Sequence, residues 1–484
     1  KKKNEYGGKM SKRIFTVISL ILTLGMLFVL VIPASAQLGD KDESSFYIQN
    51  VSGNDGVSVT VKFVAEDGSE TTPTDLGGGT TNPFTLAKDE MKLINVPDVV
   101  GLATGRYAVV ISSTDKVVAV ARVESTGTKQ FVGSYTGFSS GSNSTIIPTV
   151  TYNWGDEGWM GMLSVMNLGS GDANVTIKLA CTNEAEAGTV GTLTKNGLKP
   201  MASWTVALKN TKPDGFSTST RCIASAEVTA NQPVVAVNNQ NVPAKGYTNT
   251  FEGYPDGVTK VYAPQLQKNY YGWNSAINVV KTEGGSTTVT IAYDDGTAND
   301  TCNLTDASPQ CQIYHGVFHD KDGRFAATVT TSPAKKILVA VGSTKKPYSS
   351  GGYAGFAEGS GSAAVPIFMK EFGFWSTSIN CQNMGTVDTK LKFDFFGKGS
   401  ETHPAQILKP GDSMQLFADN VGFGTGWATS VIITPTAAGA EFACMVGTTQ
   451  RQQPNPPKEG DWTFQYNAPD RKSTRLNSSH RCIS

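Results

Sequence analysis

The sequence predicts an all-β protein of four tandem β-sandwich domains behind a signal peptide. Three observations carry this. Short runs alternate apolar and polar residues, as in Val57-Ser58-Val59-Thr60-Val61-Lys62-Phe63 and Val175-Thr176-Ile177-Lys178-Leu179. Period two puts one face of such a run on a core and the other in water. Gly, Asp and Asn turns separate the runs, in a chain with 51 Gly and only 17% charged residues. Third, the chain repeats itself every 100 residues or so, roughly the length in which seven short strands make a sandwich of immunoglobulin-like type. Helix signals are almost absent beyond residue 36.

The chain begins with a leader. Met10 is followed by Lys12, Arg13, an apolar run from Ile14 to Ile32, and the small-residue site Pro33-Ala34-Ser35-Ala36. A basic segment, an apolar segment and a small-x-small site define a secretory signal peptide. Residues 1–36 are therefore upstream sequence and leader, with cleavage before Gln37. A retained anchor is the competing reading, because about 19 apolar residues just span a bilayer. The well-formed cleavage site favours removal. No other stretch approaches spanning length, so no membrane span is expected in the mature chain.

Three later repeats align on a Pro strand followed by a Trp strand. They run from Ile147-Pro148 to Trp159, from Ala263-Pro264 to Trp273, and from Val365-Pro366 to Trp375. With a fourth copy at the front, the predicted sandwiches are 45–134, 145–246, 260–346 and 363–452. Tyr-x-x-Phe signatures, Tyr135-Thr136-Gly137-Phe138 and Tyr353-Ala354-Gly355-Phe356, read as linkers. Transferring the Pro strand to the first repeat places it near residues 31–33, inside the leader. Cleavage then leaves that sandwich short of its first strand.

Residues 453–470 read as a linker or as the start of a further repeat, because Tyr466-Asn467-Ala468-Pro469 is similar to Val261-Tyr262-Ala263-Pro264. Two explanations stand. The chain breaks off at a fifth repeat, or this strand completes the first sandwich of another subunit by β-strand addition, giving open filaments. Arg471–Ser484 resembles a sequencing-adapter translation and is treated as foreign.

Charge balance is 41 basic against 41 acidic residues. Without the leader and tail it becomes 31 against 40, about −9, which excludes a general nucleic-acid footprint. Six of the seven Cys fall two to a repeat. The predicted disulfides are Cys181–Cys222, Cys302–Cys311 and Cys381–Cys444, the last as an inter-sheet bridge, in an oxidising compartment. Metal ligation is disfavoured, since no C-x-x-C spacing occurs and no His accompanies these Cys.

Candidate chemistry is thin. His315 and His319, beside Asp320 and Asp322, read as a polar loop, and a calcium site lacks its remaining ligands. Gly137-Phe138-Ser139-Ser140-Gly141 matches a nucleophile-elbow pattern outside the strand-to-helix setting that the motif needs. Asp294-Asp295 reads as a turn. No catalytic residue, cofactor or metal is predicted. Trp159, Trp273 and Trp375 recur at one repeat position and read as core. Trp204 and Trp427, less regular, are the candidate ligand contacts. Asn50, Asn143, Asn174, Asn299 and Asn303 begin glycosylation sequons.

On these repeats the chain resembles secreted bacterial surface proteins made of tandem immunoglobulin-like sandwiches. The resemblance implies a non-enzymatic structural or adhesive protein, a stalk, surface-layer or filament subunit, with itself or other surface proteins as partners. A carbohydrate-binding repeat array, with glycans as ligands, is the alternative. Either lies outside the cell or on its surface.

Overall fold

The computed structural model describes residues 28–32, 42–125, 132–242, 245–346, 349–450 and 463–471. It is 62% strand and 3% helix, and its antiparallel sheets form the all-β, multi-sandwich organisation expected from the sequence. The four sandwiches cover 28–136, 142–252, 260–354 and 363–467. All four share one topology of eight main strands. Counted in chain order, one sheet runs 1-6-3-4 and the other 5-2-7-8. In sandwich 4 the first sheet is Ala363–Lys370, Trp427–Pro435, Thr389–Phe395 and Gly399–Leu408. Its second sheet is Ser413–Phe417, Trp375–Asn383, Phe442–Gln450 and Thr463–Asn467. Sandwich 1 adds a short strand, Phe84–Leu86, and in sandwich 2 the long Cys222–Val242 serves as both sixth and seventh strand. Alternation sets the packing: Leu391, Phe393 and Phe395 are buried while Lys392 and Asp394 between them face outward.

A buried polar residue ends the second strand in three copies. Asn167 Nδ2 donates to Gly171 O at 2.7 Å and to Leu198 O at 2.9 Å. Asn383 does the same to Val387 O and Leu408 O, and Asn50 to Asn54 O and Ala87 O. Asn50 is fully buried, so this sequon is closed to glycosylation in the folded chain.

Three disulfides form, one in each of sandwiches 2 to 4. Cys381 and Cys444 face each other on neighbouring strands, Cα atoms 4.0 Å apart. That bridge lies within one sheet, not between sheets as the sequence suggested, because the second and seventh strands are partners in the 5-2-7-8 sheet. Disulfides persist in oxidising compartments, so the folded chain belongs outside the cytoplasm. Among the described residues no helix is long and apolar enough to cross a membrane.

The first strand of sandwich 1 falls where the transferred Pro strand puts it, beside residues 31–33, and the apparent linkers differ from the sequence expectation. Phe28–Ile32 is the first strand of sandwich 1, antiparallel to Tyr107–Ser113. Ile32 lies opposite Val109 just as Ile147, Ala263 and Val365, each preceding a proline, lie opposite Ala226, Ala327 and Val431. The rest of the leader lies outside the described residues. The difference concerns the apparent linkers. Val132–Thr136, Tyr247–Glu252, Ser349–Ala354 and Thr463–Asn467 are the eighth strands of their own sandwiches. Tyr466-Asn467 therefore belongs to sandwich 4 and is neither a fifth repeat nor a free donor strand. Their composition hides them, because they are rich in Ser, Thr, Gly, Asn and Gln and carry few apolar residues.

Their polarity has a reason. The four eighth strands meet one another and close the sandwiches into a ring. Thr136 N–H donates to Glu252 Oε1 at 2.7 Å, joining sandwiches 1 and 2. Ser350 Oγ donates to Thr248 O at 3.0 Å, joining 3 to 2. Asn467 Nδ2 donates to Ala354 O at 2.9 Å, joining 4 to 3. Ser134 and Thr136 hydroxyls donate to Gln465 O and Asn467 O, joining 1 to 4. Glycine permits the approach: a Cβ on Gly352 would stand 2.7 Å from the Phe251 ring. Away from the axis, the first strand of sandwiches 2, 3 and 4 packs on the second and seventh strands of the next copy round the ring. Apolar clusters Tyr262–Met384–Ala443 and Val51–Val118–Ala364–Ile432 fill two of these borders.

Candidate functional site

The hairpin between first and second strands is built alike in sandwiches 2, 3 and 4. Its sequences are Asn153-Trp154-Gly155-Asp156-Glu157-Gly158-Trp159, Asn269-Tyr270-Tyr271-Gly272-Trp273 and Glu371-Phe372-Gly373-Phe374-Trp375. Backbone bridges Trp154/Trp159, Tyr270/Trp273 and Phe372/Trp375 close each one. The opening residues Asn153, Asn269 and Glu371 have φ of 49°, 48° and 52°. That left-handed turn is uncommon outside glycine, and its recurrence marks one shared loop design. Because the sandwiches share a topology around one axis, the three hairpins stand on the same rim of the ring.

Each hairpin is anchored at its base, and those of sandwiches 3 and 4 carry aromatic rings at the tip, where that of sandwich 2 has Asp156 and Glu157. Trp159 stacks on Tyr247 with centroids 5.9 Å apart. Trp375 lies 5.7 Å from Phe464, with the Arg122 guanidinium of sandwich 1 at 4.7 Å over its ring. Tyr270 OH donates to Gln415 Oε1 of sandwich 4 at 2.8 Å. Outer rings reach solvent: Tyr271 is 72% exposed, Phe374 55% and Phe372 46%. Trp159, Trp273 and Trp375, read from sequence as core, are half-buried hairpin bases. The signal that identifies them is the second aromatic residue across a Gly-containing turn.

A recess lies on the sandwich 2 hairpin. A cavity of about 230 Å³ lies between Trp154 and Trp159, lined also by Gly155, Asp156, Glu157 and Lys346. Lys346, from sandwich 3, pairs with Glu157 at 3.0 Å. Arg221 lies 3.6 Å from Asp156. Two indole faces offer flat apolar surfaces, while carboxylates and an ammonium supply acceptors and donors at the edges. Such a mixture of aromatic walls and a few polar groups suits a small polar ligand with an apolar face.

The two Trp singled out from sequence behave otherwise. Trp427 is only 8% exposed, stacked on Phe368 at 5.8 Å, with its indole N–H bonded to Gly424 O. It is core, which removes it as a ligand contact, because the sixth strand it begins lies inside the sandwich. Trp204 is half-buried on the edge strand Ser203–Ala207, packed on the core of sandwich 2 and away from the hairpin.

His315 and His319 sit on a helical turn, His315–Phe318, and its end, both buried. His315 Nε2 is 3.0 Å from Tyr293 OH, and its Nδ1 is 3.3 Å from Ser275 O. Tyr293 OH donates to Asp300 Oδ2 at 2.5 Å. Burial pushes the His315 pKa down to about 4 against the opposing Ser275 bond, so its ring is neutral and satisfied. His319 Nε2 lies 2.9 Å from Asp295 Oδ2, its ring stacked on Phe325. Asp322 caps Asn269 instead, and Asp294 holds Ala326 N–H and Ser413 across the border with sandwich 4. Among the described residues no group of three or more His, Cys, Asp or Glu is placed to hold a metal ion. Residues 137–141 carry the chain from sandwich 1 to sandwich 2 with Phe138 buried, which leaves no nucleophile elbow.

Compared with known proteins, the chain matches no family model and no curated protein. Among solved structures it is similar to the crystal structure of Thermotoga maritima 1070, at 22% identity over 24% of this chain and 94% of that chain, with a TM-score of 0.18.

Proposed function

We propose that the chain is a non-enzymatic, extracellular adhesive protein that presents an aromatic rim to glycans. The observation that carries this is one anchored hairpin recurring in three consecutive sandwiches, with exposed aromatic rings at the tips in sandwiches 3 and 4 and two half-buried Trp at the base in sandwich 2. Core packing does not require exposed Tyr271, Phe372 and Phe374, and exposed aromatic rings are available to stack on a ligand. Trp154 and Trp159 provide stacking faces for a sugar ring, and Asp156, Glu157 and Lys346 provide hydroxyl partners. The sandwiches close on themselves, so the protein acts as a compact ring and not as an extended stalk.

Retention of the mature protein on polysaccharide-containing gels tests this reading. Trp154→Ala with Trp159→Ala should weaken retention about tenfold or more while near-UV circular dichroism and melting keep a folded ring. Equal retention of the double variant, or no retention on any of a broad glycan panel, would sink it. Turnover of a glycoside in a hydrolase screen would move the protein to a different class.

A further inference from the structure

One aromatic position of the rim already holds a cation. Trp375, at the base of the sandwich 4 hairpin, carries the Arg122 guanidinium of sandwich 1 over its ring at 4.7 Å, and the same guanidinium lies 5.4 Å from the Phe464 centroid. Arg122 is paired with Glu124 and its side chain is only 11% exposed, so the protein fills this position itself. An indole face attracts cations through its ring quadrupole, more strongly where water is excluded.

Sandwich 2 presents its hairpin to sandwich 3 without that cation. In sandwich 1, Arg122 stands opposite Ser45, five residues before the second strand ends at Asn50. In sandwich 3 the matching pair is Ala276 and Gly342, five residues before Lys281. Glycine has no side chain to lay over Trp159. In place of an arginine there is the recess of about 230 Å³ lined by Trp154, Trp159, Asp156, Glu157 and Lys346. Both carboxylates belong to the hairpin, and both cations come from outside it. Arg221 is held twice, by Asp156 and by Gly155 O. Lys346 reaches over from sandwich 3 to Glu157 at 3.0 Å, its own side chain 69% exposed against 22% for Glu157. The anion is built into the hairpin and the cation is laid on from solvent. A pair this exposed adds little stability, so Lys346 yields its place at little cost.

We propose that the recess selects glycan units bearing a free ammonium group, as in de-N-acetylated amino sugars, and that such a unit displaces Lys346 from Glu157. This rests on the glycan reading above and names its substrate class. The apolar face of the sugar ring lies against one indole. Its ammonium takes the Glu157 carboxylate beside the other, a charge-assisted hydrogen bond next to a cation-attracting face. A neutral or N-acetylated unit makes the stacking contact alone and leaves Lys346 where it is.

Calorimetry on the full chain decides the matter, with hexasaccharides of glucosamine, N-acetylglucosamine and glucose in a slightly acidic buffer that keeps the sugar amines charged. The glucosamine hexamer should bind about tenfold tighter or more than the other two. Glu157→Gln should weaken it about tenfold. Lys346→Met removes the competing ammonium and should tighten it about threefold or more. Asp388→Asn, at an exposed carboxylate on another turn, should change nothing. Near-UV circular dichroism and melting confirm that each variant is folded. Equal affinity for the three hexamers overturns the amino-sugar assignment and leaves the glycan reading standing, whereas binding of no glycan overturns both. An unchanged Glu157→Gln, a weaker Lys346→Met, or an Asp388→Asn loss as large as that of Glu157→Gln each overturns the assignment to this recess. A tetralysine peptide bound as tightly as the hexamer moves the site to protein ammonium groups and overturns it as a sugar site.

Discussion

Glu252 offers a direct test of the ring axis. Its carboxyl sits on the eighth strand of sandwich 2, where it accepts Thr136 N–H from sandwich 1 and the Tyr254 hydroxyl at 3.2 Å. A cavity of only about 10 Å³ lies beside it, lined by Ser134, Thr250, Gln465 and Asn467. Among the described residues no cation lines this space. Burial therefore dominates the two hydrogen bonds and pushes the carboxyl pKa up from 4.5 to about 7. The sign follows. Below pH 4.5 the carboxyl is protonated folded or unfolded and costs nothing. Between 4.5 and 7 the unfolded chain ionises while the folded ring stays neutral, so stability falls as pH rises; above 7 the loss is constant. At 1.36 kcal/mol per unit the ceiling is about 3 kcal/mol, and water reaching the cavity brings the range to about 1–3 kcal/mol. Glu252→Gln keeps the acceptor for Thr136 and cannot ionise. Urea denaturation of both proteins from pH 4 to 8 should give a wild-type curve that drops across this window and a variant that lacks that drop. The variant should be the more stable at pH 8 by the same amount. Parallel curves at every pH would refute the raised carboxyl pKa.

Two other substitutions probe the frame. Asn167→Ala leaves Gly171 O, Leu198 O and Gly169 N–H without their partner, which should cost about 2–3 kcal/mol in denaturant unfolding; a loss under about 0.5 kcal/mol would deny the turn its structural role. Gly352→Ala drives a methyl to within 2.7 Å of the Phe251 ring and should lower stability by about 1–3 kcal/mol, with faster amide exchange in Tyr247–Glu252 as the local readout.

Much of each sandwich is legible in the sequence, because most strands face an apolar core and alternate accordingly. Val57–Ala65 and Thr389–Phe395 are examples, with buried and open residues strictly interleaved over most of their length. The eighth strands are illegible for the opposite reason. Val132–Thr136 and Ser349–Ala354 are buried at every position, yet what covers one face is another polar strand, so Ser, Gly and Thr stand where apolar residues mark an ordinary strand. Without those strands the repeats read as beads on a chain, and the ring is lost. The hairpin tips are half legible. Recurring Trp points to the position, but period alone cannot separate a core Trp from one that anchors an exposed turn. Trp427 misleads in the other direction, since an irregular position in the repeat says nothing about depth.

Which contacts hold the ring can be argued from magnitudes. Across the axis, each hydrogen bond such as Ser134 to Gln465 or Thr136 to Asn467 contributes a net of about 1 kcal/mol. Against this stand buried oxygens on Gln465, Asn467 and Asn249 that have no protein partner, each costing about 1–3 kcal/mol if unsolvated. The axis is close to balanced, and its role is to set register between strands. The borders differ. Tyr47, Val120 and Val132 of sandwich 1 join the core of sandwich 4, and the Tyr262 and Val51 clusters fill two borders. A large apolar side chain buried there contributes about 1.5–3 kcal/mol. Closure is thus driven at the borders, where first strands lie on the next sandwich. A ring held this way tolerates changes on its axis far better than the absence of one first strand.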